Sequence, residues 1–239
     1  MTKVLALAAL ALAWHGSATF HPVGVRVPIL EFHVIGNPAP GAPNQGLFDP
    51  PPAFRAQVAW LARRGYHAVT LDAVDRSWRS DGWLTLPPKP VVLTFDDGYP
   101  EDVDFAMPIL RARRWPAVLN LQVGNLAPAR VRLLIGAGWE IDAHTFTHPD
   151  LTTVDAARLR REVAGSRRWI QAVFGVPVDF FAYPFGRSDP AVVAEVRRAG
   201  FLGAEGEQAG LASEADGFHL HRIEIVRADG VAGLAAKLS

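Results

Sequence analysis

The sequence contains no cysteine, and that absence removes several chemistries at once. There is no disulfide framework, no thiolate nucleophile, no sulfur-ligated zinc and no cysteine for lipid attachment at the N-terminus. Any metal must therefore sit on nitrogen and oxygen donors. A surplus of either charge is missing as well, because 24 Lys and Arg stand against 24 Asp and Glu. Such a chain offers no electrostatic footprint for nucleic acid or for an anionic membrane surface, so no nucleic-acid partner is expected and a polymer of low charge is the easier match. Long apolar runs are scarce. The one of note lies at the N-terminus, where Lys3 precedes an apolar stretch from Val4 to Trp14 and the small residues Gly16-Ser17-Ala18. About eleven apolar residues is short for a span of roughly twenty, and the pattern suits a signal peptide over residues 1–18, cut after Ala18. A buried N-terminal helix and an uncleaved anchor are the other two readings. Export implies a secreted or envelope-associated protein whose processed chain has no stable membrane insertion.

What remains is an apolar-rich chain, 49% of 239 residues, within the size that one α/β domain can fill. A single catalytic domain is expected over residues 27–239. Short apolar runs alternate with helical patterns from Val27 onward. Strands are expected at 28–32, 67–71, 91–95, 117–121, 140–143, 180–183, 201–204 and 222–226. Phe54, Val58 and Leu61 recur at helical spacing before Gly65. Residues 102–113 read as a helix with a kink at Pro108, and 130–137 as a short one. A longer helix begins near Thr152 or Thr153 and ends at Gly175. Asp189-Pro190 supplies a cap and a first-turn proline for another helix, which Gly200 closes, and a short one follows Gly230. No glycine-rich phosphate loop follows the first strand. The pattern predicts a (β/α) barrel of seven to eight strands, distorted or incomplete, rather than a dinucleotide-binding sheet.

Barrels of this kind carry their chemistry in the loops at the C-terminal ends of the strands, which sorts the candidate residues. Thr94-Phe95-Asp96-Asp97-Gly98 ends a strongly apolar strand. By itself it could be an ordinary Asp-Gly turn, but two adjacent carboxylates repel each other, and a bound cation relieves that repulsion. His144-Thr145-Phe146-Thr147-His148 follows another strand, and Pro149 stops any helix there. Two imidazoles at this spacing can converge on one ion. With Asp97 they form a two-histidine, one-carboxylate set that leaves positions open for water and substrate. Zinc is the first expectation for such donors, and Ni2+, Co2+ and Fe2+ fit them too.

These segments resemble motifs of the polysaccharide deacetylases of carbohydrate esterase family four. In the first motif, similar to Thr94–Gly98, the first aspartate is the base and the second a metal ligand. The second, similar to His144–His148, supplies two histidine ligands. Ala182-Tyr183-Pro184-Phe185-Gly186 is similar to the third, where a backbone N–H at the position of Phe185 helps bind the oxyanion. The resemblance covers roughly 28–225. It implies a metal-dependent hydrolase acting on an acetylated polysaccharide or oligosaccharide, with Asp96 as base, Asp97, His144 and His148 as ligands and Phe185 at the oxyanion.

Two departures from the family pattern are informative. The third motif usually opens with an arginine that orients the base; Ala182 stands here, and Arg222 is a substitute. No match to the fourth motif is present. The family's fifth motif supplies a histidine as general acid, for which His33 and His221 compete here. Pro28–His33 resembles the opening strand of the branch that acts on β-1,6-linked N-acetylglucosamine polymers, where motif order is permuted and the acid is an N-terminal histidine, which favours His33. Trp115, Tyr99, Tyr183 and Phe185 are candidates to cover the apolar face of a sugar, and Asn120 and Gln122 to line the cleft. An O-acetyl esterase of the xylan type, a small-amide hydrolase and a non-catalytic carbohydrate-binding protein are the alternatives on the same scaffold.

Overall fold

The computed structural model describes residues 25–80 and 83–239; the expected signal peptide lies outside them. The strands are β1 (Ile29–Phe32), β2 (His67–Ala68), β3 (Pro90–Asp97), β4 (Val118–Leu121), β5 (Glu140–Ala143), β6 (Phe180–Ala182), β7 (Gly203–Ala209) and β8 (Leu220–Glu224). All pairings between them are parallel, and β1 bonds both β3 and β8. Seven strands therefore close into a barrel, and β2 is an extra one. β1 and β2 share the same edge of β3 end to end, with Ala68 opposite Val91 and Ile29 opposite Val92.

Helices α1 (Pro51–Arg63), α2 (Leu71–Arg79), α3 (Met107–Arg111), α4 (Pro128–Gly136), α5 (Ala156–Arg160), α6 (Ser166–Phe174), α7 (Pro190–Arg198) and α8 (Gly230–Lys237) accompany the strands. Among the described residues no helix is long and apolar enough to cross a membrane.

Strand alternation explains the core. Leu30, Phe32, Leu93, Phe95, Leu119 and Ile141 join the large cluster shared with the helices, whereas Ile29, Val92, Val118, Phe180 and Leu220 form a second cluster closed by Trp78 of α2. The two sets differ by one position along each strand, as a period of two requires. Two residues further on, the inward positions turn polar: Glu31, Thr94, Asp96, Asn120 and Arg222 are all buried. The barrel is thus apolar at the N-terminal ends of its strands and charged toward the C-terminal ends. Outside it, Phe54 of α1 meets the rings of Phe32 and Phe95 at 5.2 and 5.8 Å. Burying each such ring contributes about 1.5–3 kcal/mol and anchors β1 and β3 directly beside the inward-facing Glu31 and Asp96.

Several boundaries differ from the sequence expectation for identifiable reasons. The strand expected to reach Leu71 stops at Ala68, because Thr70 caps α2 by accepting from the Ala73 N–H and places Asp72 in its first turn. Pro108 lies in the first turn of α3, and the expected kink takes the form of a wide π-turn at Asp102–Ala106 just before it. The long helix starts at Ala156, because the carboxylate of Asp155 caps it through the N–H groups of Ala157 and Arg158. A π-turn at Arg161–Gly165 interrupts that helix, and left-handed Gly175 ends it. β7 runs beyond Ala204 to Ala209, with a register shift against β8.

Candidate active site

Neighbouring residues of a strand point to opposite faces, so Asp96 and Asp97 should diverge. They do not, because Asp97 takes a left-handed φ of 72° and Gly98 follows at 88°. A Cβ on Gly98 would lie 2.9 Å from Leu121 Cδ1, so the turn also needs a residue without one. Both carboxylates consequently reach one cleft of about 810 Å³ at the C-terminal ends of the strands.

His144 continues the inward parity of β5, and its Nδ1 lies 2.8 Å from the Ala182 carbonyl. That contact places the proton on Nδ1 and leaves Nε2 free to act as a ligand. Burial first, against the pull of Asp96 and Asp97, holds the imidazole below its ordinary pKa, which favours the neutral form a metal requires. His148 arrives through a loop with left-handed residues at Thr145 and His148. Thr145 Oγ1 accepts from the His148 N–H at 2.9 Å. Buried Glu162 accepts from the N–H groups of Phe146 and Thr147, both at 2.9 Å, and from the Thr147 hydroxyl at 2.7 Å.

The Nε2 atoms of His144 and His148 each lie 3.6 Å from Asp97 Oδ1, and one donor atom from each of the three residues falls within 4.8 Å of the others. Two donors bound tetrahedrally to one ion at about 2.1 Å stand about 3.4 Å apart. Distance, donor type and tautomer therefore fit a single divalent ion.

Asp96 belongs to a second, drier network. Arg222 Nη1 donates to both of its oxygens, at 2.9 and 2.8 Å, and the Asn120 amide donates to Oδ1 at 2.8 Å. Burial opposes ionisation, but Arg222, then His144 and His33, with the Asn120 hydrogen bond, hold this carboxyl below the usual range. The same guanidinium meets Glu31 at 3.2 Å and Glu205 at 3.4 Å. One cation cannot balance three buried carboxylates, and burial pushes Glu31 up to about 8 and Glu205 up to about 7.

His33 stands beside this network, its Nε2 3.8 Å from Glu31 and its Nδ1 without a hydrogen-bond partner, and it lines the cleft. His221 does not line it; its Nε2 lies 3.0 Å from Gln208 Oε1. Tyr99, Gln122 and Phe185 line the cleft as well. Three sequence candidates are placed differently. Trp115 packs against the outer core before the start of β4, at the opposite end of the barrel. Tyr183 lines the cleft but is buried, its ring packed on Phe181 rather than offered to a sugar. Asn120 lies beneath the cleft, holding Asp96 and Glu205 rather than facing substrate. Sequence reasoning passed over Glu31, Glu205 and Glu162; the inward parity of β1 could have flagged Glu31, two residues before His33.

A family model described as polysaccharide deacetylase matches residues 84–204, which leaves Glu31, His33, Glu205 and Arg222 outside the matched segment. YxkH of Bacillus subtilis (strain 168), a protein named for the polysaccharide deacetylases, is 25% identical over 221 residues, 88% of this chain and 74% of that protein. The poly-β-1,6-N-acetyl-D-glucosamine N-deacetylase of Escherichia coli (strain K12) is 47% identical over 66 residues, 28% of this chain and 10% of that protein. The deacetylase PplD of Streptococcus pyogenes, solved in complex with acetate, superimposes with a TM-score of 0.82 at 27% identity, over 90% of this chain and 99% of its own.

Proposed function

The chain belongs to the polysaccharide deacetylase family, and on that premise we propose that it is a metal-dependent hydrolase that removes N-acetyl groups from an N-acetylglucosamine-containing polysaccharide. The observation that carries the reading is the convergence of Asp97, His144 and His148 beside a separately held carboxylate, Asp96, in one cleft. A divalent ion held by those three side chains would polarise an acyl oxygen and acidify a neighbouring water. The remaining work falls to the chain's own groups. Asp96, kept ionised by Arg222, takes a proton from the attacking water. The N–H of Phe185 donates to the oxygen that becomes negative, and His33 supplies a proton to the departing sugar amine. Water is consumed, acetate and a free amine are formed, and the proton count closes between Asp96 and His33.

The N-acetylglucosamine assignment is supported by the E. coli relative, which is named for N-deacetylation of poly-β-1,6-N-acetyl-D-glucosamine, over its 66 matched residues, and the removal of an acetyl group is supported by the S. pyogenes deacetylase solved with acetate. The test is acetate release from chitooligosaccharides, peptidoglycan, β-1,6-linked N-acetylglucosamine oligomers and acetylxylan, with and without chelator and added Zn2+, Ni2+, Co2+ or Fe2+. Chelator-sensitive release from an N-acetylated polymer is expected. Release from acetylxylan alone would make the protein an O-acetyl esterase, and undiminished release after complete metal removal would remove the metal from the proposal.

A further inference from the structure

The two histidines are supported in different ways. His144 has its outer nitrogen fixed by the Ala182 carbonyl at 2.8 Å. His148 has its Nε2 at 3.6 Å from Asp97, and among the described residues none makes a hydrogen bond to its Nδ1. Two other rings pack against its ring. The His144 centroid lies 4.7 Å away, and the Phe185 centroid lies 4.6 Å away at an interplanar angle of 74°. An imidazole without an outer hydrogen bond is free to rotate about its side-chain torsions unless packing stops it. From this geometry we infer that the side chain of Phe185 is a positioning residue for His148, its ring doing the task that the Ala182 carbonyl does for His144.

The turn that presents Phe185 is built to hold the ring in place. Phe185 has a φ of 57° and ψ of 20°, a left-handed conformation that glycine adopts freely and a bulky residue rarely does. Gly186 beside it is in van der Waals conflict with any Cβ, because the Glu207 side chain lies 2.4 Å from where one would stand. Arg187 then ties the turn to the histidine loop. Its guanidinium lies 5.8 Å from the Phe185 centroid, and its Nη1 donates to Asp150, two residues past His148, at 2.7 Å. Phe185 thus lies between His148 and Arg187, while the residue is still 49% exposed. A residue kept chiefly for core packing would not be left so open.

This inference rests on the reading of Asp97, His144 and His148 as one ligand set, and a zinc-binding measurement separates the two. The full-length protein is stripped of metal, and its affinity for Zn2+ alone is measured by competition with a chromophoric chelator, for wild type and for Phe185→Ala, Phe185→Leu, Phe185→Tyr and His144→Ala. Removing a group that orients a ligand weakens metal affinity about 10- to 100-fold. Phe185→Ala and Phe185→Leu should weaken it about tenfold or more, Phe185→Tyr should match wild type, and the metal-free thermal midpoints should be unchanged. Zinc affinity in Phe185→Ala and Phe185→Leu equal to wild type overturns the inference. So does an affinity loss matched by a fall in metal-free stability in both variants, since the ring would then be supporting the fold. If His144→Ala binds zinc as wild type does, the ligand-set reading itself fails.

Discussion

One nitrogen of Arg222 donates to both carboxylate oxygens of Asp96, at 2.9 and 2.8 Å, across 126 positions of sequence. The contact joins β8 to β3 across the barrel interior, past β1, the strand that bonds both of them. Replacing Arg222 by methionine keeps much of the volume but strands Asp96, Glu31 and Glu205 without a counter-charge. Breaking a buried ion pair from one side costs about 3–5 kcal/mol, so the thermal midpoint should fall clearly. Deacetylation should fall at least about 100-fold as Asp96 loses both its orientation and its reason to stay ionised. Unchanged kcat in Arg222→Met would show that Asp96 needs no partner.

Stability should also fall as pH rises through neutrality. In the unfolded chain Glu31 and Glu205 titrate near 4.5, whereas in the fold burial raises them to about 8 and about 7. Burial likewise raises Asp49 and Glu140, each to about 7. Between those limits the fold holds more protons than the unfolded chain, so raising the pH destabilises it, by about 1.4 kcal/mol per extra proton per pH unit. His144, depressed by burial, works the other way only below its ordinary value of 6.5. Asp96, lowered by Arg222 against burial, adds stability that is lost only in acid, below its ordinary 3.8. The clean window is therefore pH 6.5 to 8. Thermal melts in chelator should show a midpoint that drops across it, with a shallower drop in Glu31→Gln; a rising midpoint contradicts the assignment.

The chemistry-bearing residues were legible because they sit in short contiguous motifs at strand ends, where a parallel barrel gathers whatever its strands deliver. The Asp96-Asp97 and His144…His148 segments announce themselves without any knowledge of tertiary structure. Glu31, Glu205 and Glu162 did not, because a lone glutamate in a strand or helix reads the same whether it faces solvent or a buried partner. Two of the four aromatic candidates are placed away from a sugar-facing position for a related reason. Trp115 and Tyr183 are close in sequence to strand starts and ends, but which side of the sheet a ring takes depends on parity, and a shift of one residue moves it to the other face. A strand end and a helix start were misplaced where a cap residue, Thr70 and Asp155 respectively, decided where the helix begins.

Removing the base and removing a ligand should separate by metal content. Asp96→Asn retains the three proposed donors, so it should bind zinc stoichiometrically while acetate release drops by orders of magnitude. His144→Ala should lose both. Metal analysis after dialysis together with acetate detection reads the two, and a zinc-free Asp96→Asn protein would place Asp96 among the ligands.

Glu162 predicts an effect without touching the cleft. Its carboxylate takes three donors from the loop between His144 and His148, and leaving buried donors unsatisfied costs about 1–3 kcal/mol each. Glu162→Ala should lower the thermal midpoint and loosen the loop, raising the zinc dissociation constant, whereas Glu162→Gln, which retains an acceptor oxygen, should do less of both. Equal affinities in all three proteins would show that the loop holds His148 without this staple.

The assignment of His33 turns on the leaving group. An amine departing from an amide is a poor leaving group unless it is protonated, whereas a nitrophenolate departs as an anion. If His33 is the proton donor, His33→Ala should reduce acetate release from an N-acetylated oligosaccharide about 100-fold or more. Its hydrolysis of 4-nitrophenyl acetate should change by less than about tenfold, because that reaction needs the base and the ligand set but no acid. His221→Ala should leave both reactions near wild type, since that ring is engaged with Gln208 away from the cleft. An equal loss on the two substrates would mean that His33 supports binding or the Glu31 and Arg222 network instead. A selective loss of amide hydrolysis in His221→Ala would transfer the role to that residue.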